Sequence, residues 1–114
     1  MSNPIAFFEI TCRDAAPLVE FYAQMFGWDV NYDAEQKFAT VEAGSSAATG
    51  MISEIPDNVP AALTVFVKVD SLDAALARAE ELGGSTMFPP MELPNERKVA
   101  MIVDPAGLAI GLTE

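Results

Sequence analysis

Two glutamates in this sequence, Glu9 and Glu54, are of a type and in a setting that could support acid–base catalysis. Glu9 lies among apolar and β-branched residues in the segment FFEITC, and Glu54 ends the segment MISE. A carboxylate on an enclosed face either has a polar partner or has a raised pKa. A raised pKa allows a carboxylate to act as a general base near neutral pH. Glu9 and Glu54 are therefore the candidate catalytic residues, although the sequence assigns neither of them a reaction.

The sequence contains no histidine and one cysteine, Cys12. Ser-His and Cys-His catalytic pairs are therefore impossible, because both need an imidazole base. A single cysteine cannot form a disulfide within the chain, which fits a reducing compartment. The first ten residues, MSNPIAFFEI, lack the charged and long apolar regions of a signal peptide. We therefore expect a cytoplasmic protein.

The net charge of the chain limits the kinds of partner that it can bind. Seventeen acidic and six basic residues give a net charge of −11. A field of that sign repels phosphate backbones and anionic membrane surfaces. No segment approaches the roughly 20 apolar residues of a membrane-spanning helix. We therefore expect neither nucleic acid nor a membrane as a partner.

The elements that would position the glutamates follow one order twice. In each half the pattern predicts a strand, a capped helix and three further strands, and the turn-forming segment 56–60 separates the halves. An offset of 57 residues superimposes the two patterns, which is consistent with an internal repeat. The segment 89–95 contains three prolines and is predicted to be irregular. The predicted strands are 5–12, 28–32, 37–43, 49–55, 62–69, 85–88, 97–103 and 108–113, and the predicted helices run from the N-caps Asp14 and Ser71 to Gly27 and Gly83.

Three runs of sequence resemble the vicinal oxygen chelate superfamily, which includes glyoxalase I, extradiol dioxygenases and the bleomycin-resistance proteins. The runs are FFEITCRD…FYAQMFGW, VFVKVDSLDAALARAEELGG and VDPAGLAIGL. The resemblance covers nearly the whole chain. It implies an α+β, glyoxalase/bleomycin-resistance-like fold in which two βαβββ modules in tandem, residues 1–57 and 58–114, have curled mixed sheets that form a cup. It also implies a homodimer.

The same resemblance identifies four positions where such proteins hold a divalent metal. The first and last strands of each module each supply one ligand, and the corresponding residues here are Phe7, Glu54, Thr64 and Gly111. Phenylalanine and glycine side chains offer no ligand atom, whereas Zn²⁺, Ni²⁺ or Fe²⁺ sites use about three protein ligands. We therefore expect a member of the superfamily that lacks the metal ligands and has no cofactor. The alternative is an all-oxygen Mg²⁺ or Ca²⁺ site at Glu9 and Glu54.

Strand alternation extends this set to the whole predicted lining of the cup. If position 7 faces the cup, every second residue of its strand does so too, and the same rule applies to the other strands. The lining is then mostly apolar, which favours a hydrophobic or aromatic small molecule. Glu9 is expected either to pair with Lys68 or a backbone group, or to anchor the ligand. The predicted ligand-binding residues are Phe7, Glu9, Thr11, Ile52, Glu54, Thr64, Phe66, Lys68 and Gly111.

Three functions remain open from the sequence. The first is a metal-free protein that binds a small molecule in an apolar cup. The second is a metal-independent isomerase or lyase with Glu9 or Glu54 as general base. The third is a non-catalytic oligomerisation or regulatory domain, which a fully packed cup would favour.

Overall fold

The computed structural model describes residues 2–44, 49–56, 60–93 and 96–114. They divide into two compact units, a first unit of residues 7–63 and a second unit of residues 1–6 together with 64–114. The predicted module boundary, between residues 57 and 58, lies outside the described residues. Within the described residues the elements are β1 Ile5–Cys12, α1 Ala15–Phe26, β2 Asp29–Asp33, β3 Phe38–Glu42, β4 Thr49–Glu54, β5 Ala62–Lys68, α2 Leu72–Glu81, β6 Ser85–Glu92, β7 Lys98–Val103 and β8 Ala109–Thr113.

The first unit orders its strands β2-β3-β4-β1. The strands β2, β3 and β4 pair antiparallel, and β4 returns to lie parallel to β1. Such a parallel return requires a long connection, which α1 and the β2–β3 hairpin provide. One face of this sheet packs against α1 and forms the core of the unit. The buried members of that core are Cys12, Ala15, Ala39, Val41 and Ile52.

The second unit repeats this arrangement with the order β5-β8-β7-β6. The strands β5 and β8 are parallel, and β6, β7 and β8 pair antiparallel. Leu72, Ala100 and Leu112 form its buried core beside α2. The strand–helix–three-strand order predicted from the sequence therefore holds in both units.

Both helices begin and end where their capping residues predict. The side chains of Asp14 and Ser71 each accept a hydrogen bond from an amide in the first turn of the helix. Gly27 and Gly83 follow the helix ends with φ of +68° and +96°, a conformation that favours glycine. Among the described residues, neither helix has the length and apolar character needed to cross a lipid bilayer.

The two units each have the same hydrogen bond where the last strand meets the start of the helix. A carboxylate oxygen of Glu54 accepts a hydrogen bond from the Ala15 amide at 2.9 Å, and one of Glu114 accepts from the Leu72 amide, also at 2.9 Å. The amides are 57 residues apart in the sequence, but the glutamates are 60 apart. The predicted offset of 57 therefore holds for strand and helix and is wrong by three residues in the last strand.

The proline-rich segment is more regular than its sequence predicts. Pro89 and Pro90 lie within β6, and the pairing of β6 with β7 shifts register on both sides of Phe88. Proline donates no hydrogen bond, so strands tolerate it at an edge or a bulge, and β6 is the last strand of its sheet order. The prediction of an irregular segment is thus wrong up to Glu92. Residues 94 and 95 lie outside the described part of the chain.

Candidate functional site

The sheet of the first unit has two chemically different faces. The register of β1 against β4 pairs Glu9 with Met51 and Thr11 with Ser53. Because directly paired residues point to the same face, these four side chains share a face with Phe7. Phe38 and Thr40 of β3 continue that face, since they pair with Ser53 and Met51. We call it the Glu9 face, and the other face packs against α1.

Glu9 is the half-buried carboxyl of this face. The hydroxyl of Ser53 donates a hydrogen bond to its Oε2 at 3.0 Å. Burial raises the pKa of Glu9, and the bond from Ser53, which favours the ionised form, lowers it in part. A carboxylate in this setting can accept a hydrogen bond from a ligand or take up a proton from it.

Ser53 is a residue that sequence reasoning missed. It belongs to the Glu9 face only because β4 lies parallel to β1 in the observed register. The available signal was the alternation within MISE, which places Met51 and Ser53 on one face and Ile52 and Glu54 on the other. The sequence prediction placed Ile52 and Glu54, instead of Met51 and Ser53, on the face of Phe7.

Ile52 and Glu54 do not lie on the Glu9 face, so their predicted place beside Phe7 is wrong. Ile52 is fully buried in the core under α1, where it pairs with Ile10. The Oε2 atom of Glu54 accepts hydrogen bonds from the Ala15 amide at 2.9 Å and from the Tyr32 hydroxyl at 3.3 Å. A register error of an odd number of residues reverses both faces of a strand, and the three-residue error in the offset has this effect.

In the first unit, the remaining predicted residues on the Glu9 face differ in accessibility. Phe7 is only 4 % exposed and is a core residue. Thr11 is partly exposed, and its hydroxyl exchanges hydrogen bonds with the backbone of Ala62 at 3.1 and 3.3 Å. On this face Glu9 and Ser53, like Thr11, are therefore more accessible than Phe7.

The predicted residues of the second unit share one face, as alternation requires. Phe66 pairs with Gly111 and Lys68 pairs with Thr113. Thr64 and Phe66 are buried, whereas Lys68 is exposed. The ring of Phe66 lies directly over the backbone of Gly111. Glu9 and Lys68 belong to different units, and their pairing stays a prediction.

The thiol of Cys12 does not add a nucleophile to the site. It lies on the helix-packing face and donates to the backbone oxygen of Ser53 at 3.7 Å. Burial raises the pKa of the thiol, and the carboxylates of Glu54 and Asp14 raise it further. The reactive thiolate is therefore disfavoured.

The residues at the four metal positions of the superfamily do not fit a metal. Phe7 offers only a ring, and Gly111 has no side chain. Glu54 points to the α1 face and caps that helix, so the buried hydroxyl of Thr64 is the one oxygen donor left at these four positions. The register makes Met51 the counterpart of Gly111, because each lies three residues before a helix-capping glutamate. Within the described ranges, no three His, Cys, Asp or Glu residues come close enough to hold a metal ion.

Comparison with curated proteins finds relatives that are longer than this chain. The putative glyoxylase CFP32 of Mycobacterium tuberculosis is 26 % identical over 113 residues, which cover 91 % of this chain and 42 % of that protein. The anthracycline biosynthesis protein DnrV of Streptomyces peucetius is 27 % identical over 124 residues, covering 94 % of this chain and 45 % of that protein. The chain thus spans less than half the length of these relatives.

Solved structures share the fold at low sequence identity. Methylmalonyl-CoA epimerase from Mycobacterium tuberculosis aligns with a TM-score of 0.69 and 18 % identity, over 96 % of this chain and 86 % of that one. A glyoxalase/bleomycin resistance protein/dioxygenase superfamily member from Vibrio splendidus aligns with a TM-score of 0.67 and 14 % identity, over 98 % of both chains. The predicted α+β fold class is confirmed by these matches.

A family model described as a glyoxalase-like domain matches residues 7–113, nearly the whole chain. The match agrees with the order of elements in both units and with the resemblance found in the sequence. The chain belongs to the glyoxalase-like domain family.

Proposed function

We propose that this protein binds a hydrophobic or aromatic small molecule at the Glu9 face, with Glu9 as the polar anchor and without a catalytic metal. The observation that carries the proposal is the half-buried Glu9 carboxyl held by Ser53 beside apolar side chains. Small-molecule sites commonly combine an apolar lining with a few placed polar groups. Of the predicted binding residues, Glu9 and Thr11 are retained, and Ser53 is added.

The charge of the first unit favours a ligand that is neutral or cationic. Residues 7–63 contain nine of the 17 acidic residues and only two of the six basic ones, a net charge of −7. A multiply anionic ligand such as a coenzyme A ester would be repelled by this field. The aromatic products of anthracycline biosynthesis, the process named for one relative, are a better first probe.

The proposal is tested by fluorescence titration with doxorubicin, an aromatic anthracycline. A hydrogen bond to a charged group contributes about 1.5–3 kcal/mol, so Glu9→Gln should weaken binding roughly tenfold or more. Ser53→Ala should weaken it less, because the carboxylate remains. Glu54→Gln, on the opposite face, is the matched control and should leave the affinity unchanged.

Two results would argue against the proposal. Equal affinity of the wild type and Glu9→Gln would remove Glu9 from the site. No binding by the wild type, together with native mass spectrometry that finds no retained small molecule, would contradict the binding function itself.

The raised pKa of Glu9 favours a second candidate, a metal-independent isomerase or lyase with Glu9 as general base. Glu54 is not included, because its Oε2 is engaged at the start of α1. Methylmalonyl-CoA, the substrate named for an epimerase of this fold, tests this candidate directly, and it must be supplied at high ionic strength to screen the unfavourable charge of the first unit. Proton NMR in D₂O would follow exchange of its α-hydrogen, and exchange abolished by Glu9→Gln would support this candidate over simple binding.

We also propose that the protein is a cytoplasmic homodimer that uses the aromatic surface of α1. Phe21, Met25 and Phe26 are all more than half exposed, and their neighbours Tyr22 and Trp28 form stacked ring contacts with centroids 5.5 Å apart. Exposed apolar patches of this kind mark interaction surfaces, which are rich in aromatic residues and methionine. A second copy of this chain is the proposed occupant, because a symmetric contact would bury the same aromatic surface of both copies against each other.

The third function left open, a purely structural or regulatory domain, would need this dimer but no ligand. Buried Phe7 and Phe66 are compatible with it. The doxorubicin titration and native mass spectrometry separate it from the binding function, because only the binding function predicts a retained or added small molecule.

A further inference from the structure

The second unit contains a contact at Gly111, the last-strand metal position that the superfamily resemblance assigns to this unit. A Cβ atom placed on Gly111 would lie 2.3, 2.4 and 2.6 Å from three ring carbons of Phe66. Nonbonded carbon atoms prefer about 3.5–4.0 Å. The Phe66 ring therefore occupies the space into which any side chain at position 111 would project.

Neighbouring residues leave the ring little freedom to move aside. Phe66 is only 2 % exposed, and it pairs with Gly111 across the β5–β8 ladder. On its other side Gly111 pairs with Met101, which in turn pairs with Phe88 of β6. Position 111 is thus a small residue in a cross-strand row of large apolar side chains, of which Phe66 is buried, Met101 is partly buried and Phe88 is exposed. A buried ring such as that of Phe66 resists the insertion of further atoms beside it.

We propose that Phe66 closes the last-strand metal position of the second unit, so that this position serves as core packing and a single substitution cannot restore a ligand there. The misfit to a metal is therefore steric as well as chemical. A carboxylate introduced at 111 would have to displace a buried aromatic ring before it could reach any ion.

A double-mutant cycle tests the steric part. Overpacking of this kind is costly, so Gly111→Ala should lower the Tm of the wild type by on the order of 10 °C. In a Phe66→Ala background the same change should lower the Tm by less than half as much, because the obstructing ring is absent. If Phe66→Ala does not fold, Phe66→Val supplies the shortened side chain.

Gly50→Ala is the matched control for this cycle. A Cβ there would meet the ring of Phe8 at 2.3 Å instead. The loss of Tm caused by Gly50→Ala should therefore be the same in the wild type and in the Phe66→Ala background. An equal loss for Gly111→Ala in both backgrounds would overturn the proposal.

Metal binding tests the functional part without any activity assay. Wild type and Gly111→Glu are incubated with Co²⁺, Ni²⁺ or Zn²⁺, dialysed and measured by elemental analysis, with the Co²⁺ absorption spectrum as a second readout. We expect no stoichiometric metal in either protein. One equivalent of metal in the wild type or in Gly111→Glu would overturn the proposal.

Discussion

Glu9 is the residue on which the functional proposal rests, and its properties come from two neighbours in space. Burial disfavours its charged form, while Ser53, 44 residues later in the chain, donates to that form. These opposing effects leave a net raised pKa. Because its charge is incompletely stabilised, Glu9 is suited to contact a ligand. For the same reason, ionised Glu9 lowers the stability of the folded protein.

The stability of the protein should depend on pH through Glu9. Because the folded state raises the pKa of Glu9, it holds this proton more tightly than the unfolded state. The free energy of unfolding therefore falls as pH rises from the ordinary glutamate pKa through the raised one. Glu9→Gln cannot ionise, so its Tm relative to the wild type should increase across this window.

Thermal unfolding of both proteins from acidic to neutral pH measures this effect. Glu42→Gln, which removes an exposed carboxyl from the same face, is the control for the loss of one charge. A Tm difference between Glu9→Gln and the wild type that does not vary with pH would contradict the prediction.

At the scale of elements, the last strand of each unit is connected to its helix by a glutamate. Glu54 and Glu114 accept from the first helical amides, whereas Asp14 and Ser71 accept from amides further along the same turn. Two of the four free amides at each helix start are thereby satisfied. A negative charge at this end also complements the helix dipole.

Removing such a carboxylate should weaken its own helix. We expect Glu54→Ala to reduce the free energy of unfolding by about 1 kcal/mol, and Glu114→Ala by a similar amount. Glu54→Gln keeps an oxygen acceptor and should lose less. Urea denaturation followed by circular dichroism measures all three, and a neutral Glu54→Ala would show that water replaces the carboxylate at no cost.

The elements also show why sequence reasoning located one half of the site better than the other. Strand alternation placed Phe7, Glu9 and Thr11 on one face correctly, because it depends only on the local backbone. The face of Ile52 and Glu54 depends on the register of β4 against β1, which was transferred from the second unit by a fixed offset. The two units differ by three residues in the chain between the helix and the last strand. This difference was enough to place Glu54, instead of Ser53, on the predicted face.

At the scale of the whole molecule, charge and exposed aromatic residues act in opposite directions. The net charge of −11 makes two copies repel each other, whereas the aromatic surface of α1 favours their association. The screening length falls from about 30 Å at 0.01 M salt to about 10 Å at 0.1 M. The ionic strength should therefore control the proposed dimer.

We expect the dimer fraction to increase with salt, and Phe26→Glu to reduce it at every salt concentration. Sedimentation equilibrium in low and high NaCl measures both effects. Glu20→Gln, an exposed substitution on the same helix, is the control and should mildly favour association. A wild type that stays monomeric at high salt would contradict the homodimer proposal.

The sequence alone determined the order of elements, the helix caps and the family, because these depend on local patterns of apolar, capping and turn-forming residues. It also predicted that two of the four metal positions implied by the superfamily resemblance, Phe7 and Gly111, offer no ligand atom. The tertiary structure decided the partners of each glutamate, the inclusion of Ser53 and the closure of Gly111 by Phe66. These features depend on strand register and side-chain packing between residues far apart in the chain, and a change of one residue in register moves a side chain to the opposite face of the sheet.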